Sequence, residues 1–495
     1  MTNEQSSYRQ IMKATSLFGG VQVFNILIAI IRVKFIAVLL GPAGMGIAGL
    51  LGSTLGLIGG FTSFGLGTSA VKDIAAANSS ENAMRISTIS TVFRRLIWIT
   101  GTLGTVITIV LSPWLSELTF GNRNYTFAFV WISITLLFNQ LSSGQIVVLQ
   151  GMRKLQDLAK ASIAGSALGL IITLPMYYFY KIDAIVPAII VTSIVSLSLS
   201  RYFAHKIKIE PVKVSYRETV AEGKNMITMG FMISMSGMIL MGTSYIVSIY
   251  ISRTGGVEQV GLYNSGFSII NTYVGMIFTA MATDYYPRLS TVANSNINCK
   301  QMINQQAEVA ILILAPIIMI FMVFIQWVVI ILYSNAFLGI NDMIHWAILG
   351  IFFKAASWSI AFILLAKGAS KLFFWSELIA NGYGLLFNII GYKLGGLSGL
   401  GISFAIGYIC YLLQVFFIAK TKYAFGFEKA FYQIFVFQLF LALICFGIAK
   451  EVPAPWSYLT GSVLILFSIF YSYKELDKRI GIKDVLKNIK EKFNI

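Results

Sequence analysis

Apolar runs of 17 to 27 residues recur along the whole chain, separated by short segments where Gly, Pro and charged residues gather. Each run is long enough to cross a hydrocarbon slab of about 30 Å as a helix. The pattern predicts fourteen helices, over 15–40, 45–71, 96–113, 125–149, 161–180, 184–203, 226–251, 261–284, 309–333, 343–366, 372–392, 399–419, 431–449 and 457–473. The predicted fold is an all-α polytopic membrane protein. The first run is too long for a signal-peptide core, lacks a small-residue cleavage site and contains Arg32 and Lys34, so it is read as a retained helix.

Composition agrees: 57% of the 495 residues are hydrophobic and 12% charged, against roughly 45–50% and about 25% in soluble domains. The net charge of +17 changes meaning once it is located. With the N-terminus in the cytoplasm, the even-numbered connections and both tails, counting Arg201 at the start of the linker, hold 29 of the 37 Lys and Arg, including Arg94, Arg95, Arg153, Lys154, Lys206, Lys213, Lys420 and Lys422. The opposite connections hold Arg123, Lys181, Arg253, Lys393 and Lys450, and Arg32, Lys34 and Lys354 lie within spans. This is the positive-inside bias expected of a multi-pass membrane protein with both termini cytoplasmic, and it removes the argument for a nucleic-acid partner. A basic tail from Lys474 carries Ile482, Val485, Leu486, Ile489 and Phe493 on one helical face, suited either to the anionic inner leaflet or to solvent.

The segment RVKFIAVLLGPAGMGIAGLLG superposes on VSIYISRTGGVEQVGLYNSGF with an offset of 215 residues, aligning Gly46 with Gly261. An even number of helices separates the copies, so the repeat is parallel. The expected organisation is an N-terminal lobe of six helices and linker over 1–224, a second six-helix lobe over 225–424, and two further helices with the tail over 425–495. The basic segment Arg201 to Lys224, carrying Pro211, is the expected linker. Gly52, Gly56 and Gly60 at four-residue spacing read either as a close-packing ridge or as a hinge.

An ionised side chain at the bilayer centre costs about 2.5–3.5 kcal/mol on insertion scales, so the few that occur ask for a reason. Lys354 lies near the middle of its span. Arg32 and Lys34 lie nearer the outer end of theirs, where snorkelling is the competing reading. Glu377 is placed to pair with Lys354 or to take up a proton, and Asp284 and Glu308 fall at cytoplasmic helix ends. Asn25, Asn139, Gln140, Asn264, Asn271, Asn381 and Asn388 either line a wet cavity or bond across helices. No predicted span interior of the first lobe contains a carboxylate, since Asp73, Glu81, Glu117, Asp157 and Asp183 fall at ends or in loops. A purely basic interior suits a phosphate or pyrophosphate better than a cationic drug.

Only two histidines occur, the three cysteines are scattered, and there is no Walker A motif, so neither a metal centre nor ATP hydrolysis is expected. No cofactor is expected either. The outer connections are too short for a polytopic polymerase or ligase, which remains the enzymatic alternative.

The stretch KFIAVLLGPAGMG from Lys34 to Gly46, Lys72 beyond it, the run from Leu332 to Lys367 that opens LYSNAF and carries Lys354, and the following Glu377 resemble the Wzx-type translocases of O-antigen and enterobacterial common antigen. That superfamily also includes lipid II flippases and multidrug extruders. The resemblance implies a two-lobed, V-shaped bundle that flips undecaprenyl-pyrophosphate-linked oligosaccharide from the cytoplasmic to the periplasmic leaflet, alongside polymerase and chain-length proteins. It implies substrate-binding roles for Lys34, Lys72 and Lys354 and a pairing or coupling role for Glu377. Arg32 departs from the enterobacterial pattern, although a nearby basic residue is similar to the lipid II flippase. Lipid II export and multidrug or cation export are the alternatives within transport.

Overall fold

The computed structural model describes residues 3–79, 82–207, 209 and 212–480. The tail positions Ile482 to Phe493, and Pro211 of the linker, lie outside the described residues. Within them the chain is almost entirely helical and contains no strand. Nine helical stretches among the described residues are long and apolar enough to cross a membrane, from Phe24–Ser63 to Lys429–Glu451. The exposed surface is apolar as well: on Lys429–Glu451 the outward row Tyr432, Val436, Phe440 and Leu443 is left uncovered. A soluble protein does not present such rows to water. The protein is a multi-pass membrane protein.

The helical boundaries follow local chemistry. Helix α1 runs Asn3–Ser63, but Gly41 takes φ 65°, ψ −173° and breaks its backbone just before Pro42. A positive φ is open to glycine and strained for other residues. The break falls between the first two predicted spans. Phe64 and Gly65 then turn the chain with positive φ, and α2 follows at Leu66–Ser79. The second predicted span ran on to residue 71 because the sequence there stays apolar.

Helix α3, Ala83–Phe120, starts where the Asn82 side chain accepts from the Arg85 amide and ends at Gly121 in the left-handed region. Helices α4 (Thr126–Gly151), α5 (Leu155–Tyr180) and α6 (Ile185–His205) follow. Helix α7, Tyr216–Gly255, opens on a capping box in which Ser215 and Glu218 satisfy each other's amides. Then come α8 (Val257–Ser268), a π-helical turn Ile269–Val274 and α9 (Gly275–Thr291). Helix α10, Asn296–Leu332, contains Pro316 and bends at Phe324. Helix α11 is Asn341–Ala366, and α12, Ser370–Tyr423, is broken at Gly395 and Gly396 between two predicted spans. Lys420 and Lys422 in its last turn face the negative end of the helix dipole. Helices α13 (Lys429–Glu451) and α14 (Trp456–Ile480) complete the chain.

Two compact units are present: Met1–Gly261 with Leu332–Ser334, and Leu262–Ile331 with Asn335–Ile495. In the first, α1 packs on α5, α3 and α7, and α4 packs on α3 and α6. Gly56 and Gly60 lie beside Met241 of α7, while a Cβ on Gly52 would meet nothing within 4 Å, so the glycine ridge is not a close backbone contact. In the second, α11 and α12 form the main pair. There Asn304 of α10 donates to the Gly426 carbonyl and accepts from the Glu428 amide, clamping the loop after α12. Gln438 of α13 is buried and donates to Ser472 while accepting from Ser468, both on α14. Such hydrogen bonds between helices add about 0.6–2 kcal/mol in a membrane.

Candidate functional site: cations of the helical interior

The candidate cations Arg32, Lys34, Lys72 and Lys354 fall in three places, each built by neighbouring helices. In the first unit, α1 carries Arg32 and Lys34. The Arg32 guanidinium faces α5, donating from Nη2 to the Ser166 carbonyl at 3.2 Å. The absence of a side chain at Gly169 leaves room for it, since a Cβ there would lie 3.1 Å from Nη2. Its Nε is buried and has no hydrogen-bond partner among the described residues. No carboxylate among the described residues reaches Arg32 to form an ion pair. Two turns toward the N-terminus, Asn25 donates to Ser162 of α5. The α1–α5 seam is therefore polar here, and Arg32 keeps an unfilled donor in it among the described residues. Lys34 donates to the backbone carbonyl of Tyr333 at 2.7 Å.

Lys72 lies elsewhere on the first unit. It is exposed on α2, beside Asp73, in a charge cluster that includes Arg85 and Glu222. Arg85 grips Glu222 with both terminal nitrogens, at 2.6 and 3.0 Å. That guanidinium holds the Glu222 carboxyl below the usual carboxylate range. Burial pushes Asp73 up, with Lys72 and Arg85 opposing. Lys72 and Arg32 share no neighbour in these interactions.

In the second unit, Lys354 of α11 sits among aromatic rings. Its Nζ lies 5.3 Å from the Tyr408 ring centre, 5.4 Å from Phe278 and 5.8 Å from Phe404. Ring faces stabilise a cation without neutralising it, by about 0.5–2 kcal/mol each. Glu377 of α12 does not complete an ion pair with Lys354; it accepts from the Tyr411 hydroxyl. Tyr411 packs edge-on to Tyr408 at 6.4 Å, so two tyrosines stand in the path from the lysine to the carboxylate. Gln414 donates to Ser376, the two residues lying on opposite halves of the broken α12. Asn381 and Asn388 donate to carbonyls four residues back on α12 and, among the described residues, do not bond across helices. Asp284 is exposed and bound to Arg288 at 2.8 Å. Glu308 is buried and receives Arg479 of α14 at 2.7 Å.

The rings around Lys354 are the part of the site that residue-by-residue reasoning missed. Their signal was present: Phe404, Tyr408 and Tyr411 follow i, i+4, i+7 spacing on one helical face.

Residues 35–342 match the polysaccharide biosynthesis protein family. The chain belongs to this family. It is 19% identical over 357 residues to the lipid III flippase of Escherichia coli strain K12, covering 70% of this chain and 82% of that protein, and equally to the lipid III flippase of Shigella flexneri. Among solved structures, a lipid II flippase MurJ in an inward closed conformation matches with a TM-score of 0.70 at 12% identity, covering 94% of this chain and 99% of that one. An inward-facing multidrug resistance MATE family transporter of the MOP superfamily matches with a TM-score of 0.66 at 16% identity, covering 81% and 94%. The polysaccharide biosynthesis protein thus has the fold of these transporters.

Proposed function

We propose that this protein is a flippase that moves an undecaprenyl-pyrophosphate-linked oligosaccharide, an O-antigen-like repeat unit, from the cytoplasmic to the periplasmic leaflet of the inner membrane. The observation that carries the reading is an interior cation without a neutralising carboxylate. Arg32 is held by a carbonyl and has a free buried Nε, and Lys354 is held by three rings. A charge kept whole at membrane depth is costly, and an arriving anion offsets that cost. Membership of a polysaccharide biosynthesis family, and likeness to a lipid III flippase, support a lipid-linked sugar as the bearer of that anion.

In this mechanism the pyrophosphate is met by Arg32, Lys34 and Lys354, with Lys72 the exposed member of the set. Glu377, bound by Tyr411, takes a proton if transport is ion-coupled. Outward movement of two negative charges from a negative cytoplasm is favoured by roughly 4.6 kcal/mol at 100 mV, since each is worth about 2.3. The membrane potential is therefore a sufficient drive.

The test is the leaflet distribution of lipid-linked oligosaccharide in a deletion strain complemented with wild type, Arg32→Gln or Lys354→Met. Wild type is expected to clear the cytoplasmic leaflet, and the two folded variants are expected to leave the lipid there. If the deletion strain exports its oligosaccharide normally and instead accumulates lipid II, the substrate is the peptidoglycan precursor and this reading fails.

A further inference from the structure

A cleft of about 870 Å³ opens among α3, α4 and α6 of the first unit, away from the α1–α5 seam that holds Arg32. Its walls differ in character. One is apolar, formed by Trp98, Phe138 and Leu141. The other is a basic rim of Arg94 on α3 with Arg201, His205 and Lys206 at the end of α6. Arg94 and Arg201 are exposed, and among the described residues no carboxylate lies within ion-pair distance of them or of Lys206. The neighbouring Arg95 shows what a structural arginine looks like here: it donates to the Val214 carbonyl and the Thr219 hydroxyl. Arg94 makes no such bond among the described residues and lines the cleft.

A second observation points to a ligand. The Ser90 hydroxyl lines the same cleft, is buried and has no hydrogen-bond partner among the described residues. Ser90 and Arg94 are one helical turn apart on α3, as Arg201 and His205 are on α6, so each pair shares a face. A buried hydroxyl without a partner costs about 1–3 kcal/mol, and a phosphate or ester oxygen would supply one. Guanidinium groups suit phosphate oxygens through paired, charge-assisted bonds.

We propose that this cleft binds an anionic membrane phospholipid, with the phosphodiester on the basic rim and Ser90, and an acyl chain against Trp98, Phe138 and Leu141. A soluble anion would use the rim and leave the apolar wall wet. A neutral or zwitterionic lipid would use the wall and leave the arginines without a counter-charge. Only an amphiphile with a net negative head uses both walls. The cleft volume falls within the roughly 300–1,000 Å³ typical of small-ligand sites.

Native mass spectrometry of the full chain in detergent tests this with phosphatidylglycerol, phosphatidylethanolamine and inorganic pyrophosphate as separate probes. Phosphatidylglycerol is expected to bind in preference to the zwitterionic lipid, and the double variant Arg94→Gln, Arg201→Gln to bind it roughly 30-fold more weakly. Arg123→Gln, in the turn after α3, is expected to change nothing. Equal binding of the two lipids, or an unaffected double variant, overturns the proposal; pyrophosphate competing fully with the lipid makes the cleft a soluble-anion site and overturns it as well. Should the double variant not fold, the Trp98 fluorescence component, defined by the difference from Trp98→Phe, decides. Chain-brominated phosphatidylglycerol is expected to quench it more strongly than chain-brominated phosphatidylcholine, and equal quenching sinks the idea.

Discussion

Gly46 of α1 and Gly261 of α8 pack backbone against backbone, each occupying space that a side chain on the other strand of the contact would need. A Cβ on Gly46 would collide with the Val257 carbonyl, and one on Gly261 with the Pro42 carbonyl. Pro42 and Val257 are related by the same 215-residue offset as the two glycines. The contact is therefore reciprocal, as expected when two copies of one segment meet about a local twofold axis. Small residues permit this approach in membranes because dispersion and close backbone contact replace the hydrophobic effect between helices.

Gly46→Ala and Gly261→Ala are accordingly expected to destabilise the protein by about 1–3 kcal/mol each, the usual cost of overpacking. Gly52→Ala, where a Cβ meets nothing within 4 Å, is expected to be neutral or to stabilise by up to about 1 kcal/mol through helix propensity. Thermal unfolding in detergent separates the two classes. If Gly52→Ala is as damaging as Gly46→Ala, the contact is not what the first pair of glycines is for.

Much of this fold is legible in the sequence because the bilayer imposes it. The apolar spans and the glycine break at Gly41 follow from hydropathy and turn chemistry. The turn at Phe64 and Gly65 is not legible that way, since it is fixed by tertiary contact: a Cβ on Gly65 would strike the Gly230 carbonyl of α7. At the candidate site, depth singles out Lys354, but its neighbours depend on how α11 and α12 are rotated against each other. Glu377 is close in sequence terms yet is turned to Tyr411, a choice that spacing alone leaves open.

The anchor between α14 and α10 should show an asymmetry. Arg479 donates to both Glu308 and Glu475, and the Glu308 side chain is only 9% exposed. Arg479→Ala strands a buried carboxylate and is expected to cost about 3 kcal/mol, the lower end for an uncompensated buried charge. Glu308→Gln leaves Arg479 with Glu475 and is expected to cost about 1 kcal/mol, as for one hydrogen bond. Equal losses in chemical denaturation would mean that the charge of Glu308 is not what Arg479 answers.

The cluster at the start of α3 and α7 predicts two opposite pH dependences. Arg85 depresses the Glu222 carboxyl, so its contribution is present above the ordinary carboxylate value and is lost as pH falls through the depressed one. Glu222→Gln should therefore lower the melting temperature at pH 7, with the difference from wild type shrinking as pH falls below about 4. Burial raises Asp73, so it favours the fold while protonated and loses that advantage as pH rises. Asp73→Asn should match wild type in acid and be the more stable at pH 7. Melting curves across this range, read for the sign of each difference, decide both.

Lys354 gives the prediction that separates function from stability most sharply. Its ammonium is surrounded by Phe278, Phe404 and Tyr408 rather than by a carboxylate, so removing the charge breaks no ion pair and strands no buried partner. Lys354→Met keeps the stem and the packing, and the apolar tip relieves a desolvation cost of about 2.5–3.5 kcal/mol. The variant is expected to fold at least as stably as wild type while losing tenfold or more of its transport. Lys354→Arg, which keeps the charge and stacks on rings, is expected to retain most of it. Tyr408→Leu should fall between them, since one of three rings is lost. Initial rates in proteoliposomes under an inside-negative potential, measured beside melting temperatures, give both readouts on one preparation. A Lys354→Met protein that unfolds early but transports normally when folded would assign the lysine to structure and remove it from the proposed anion path.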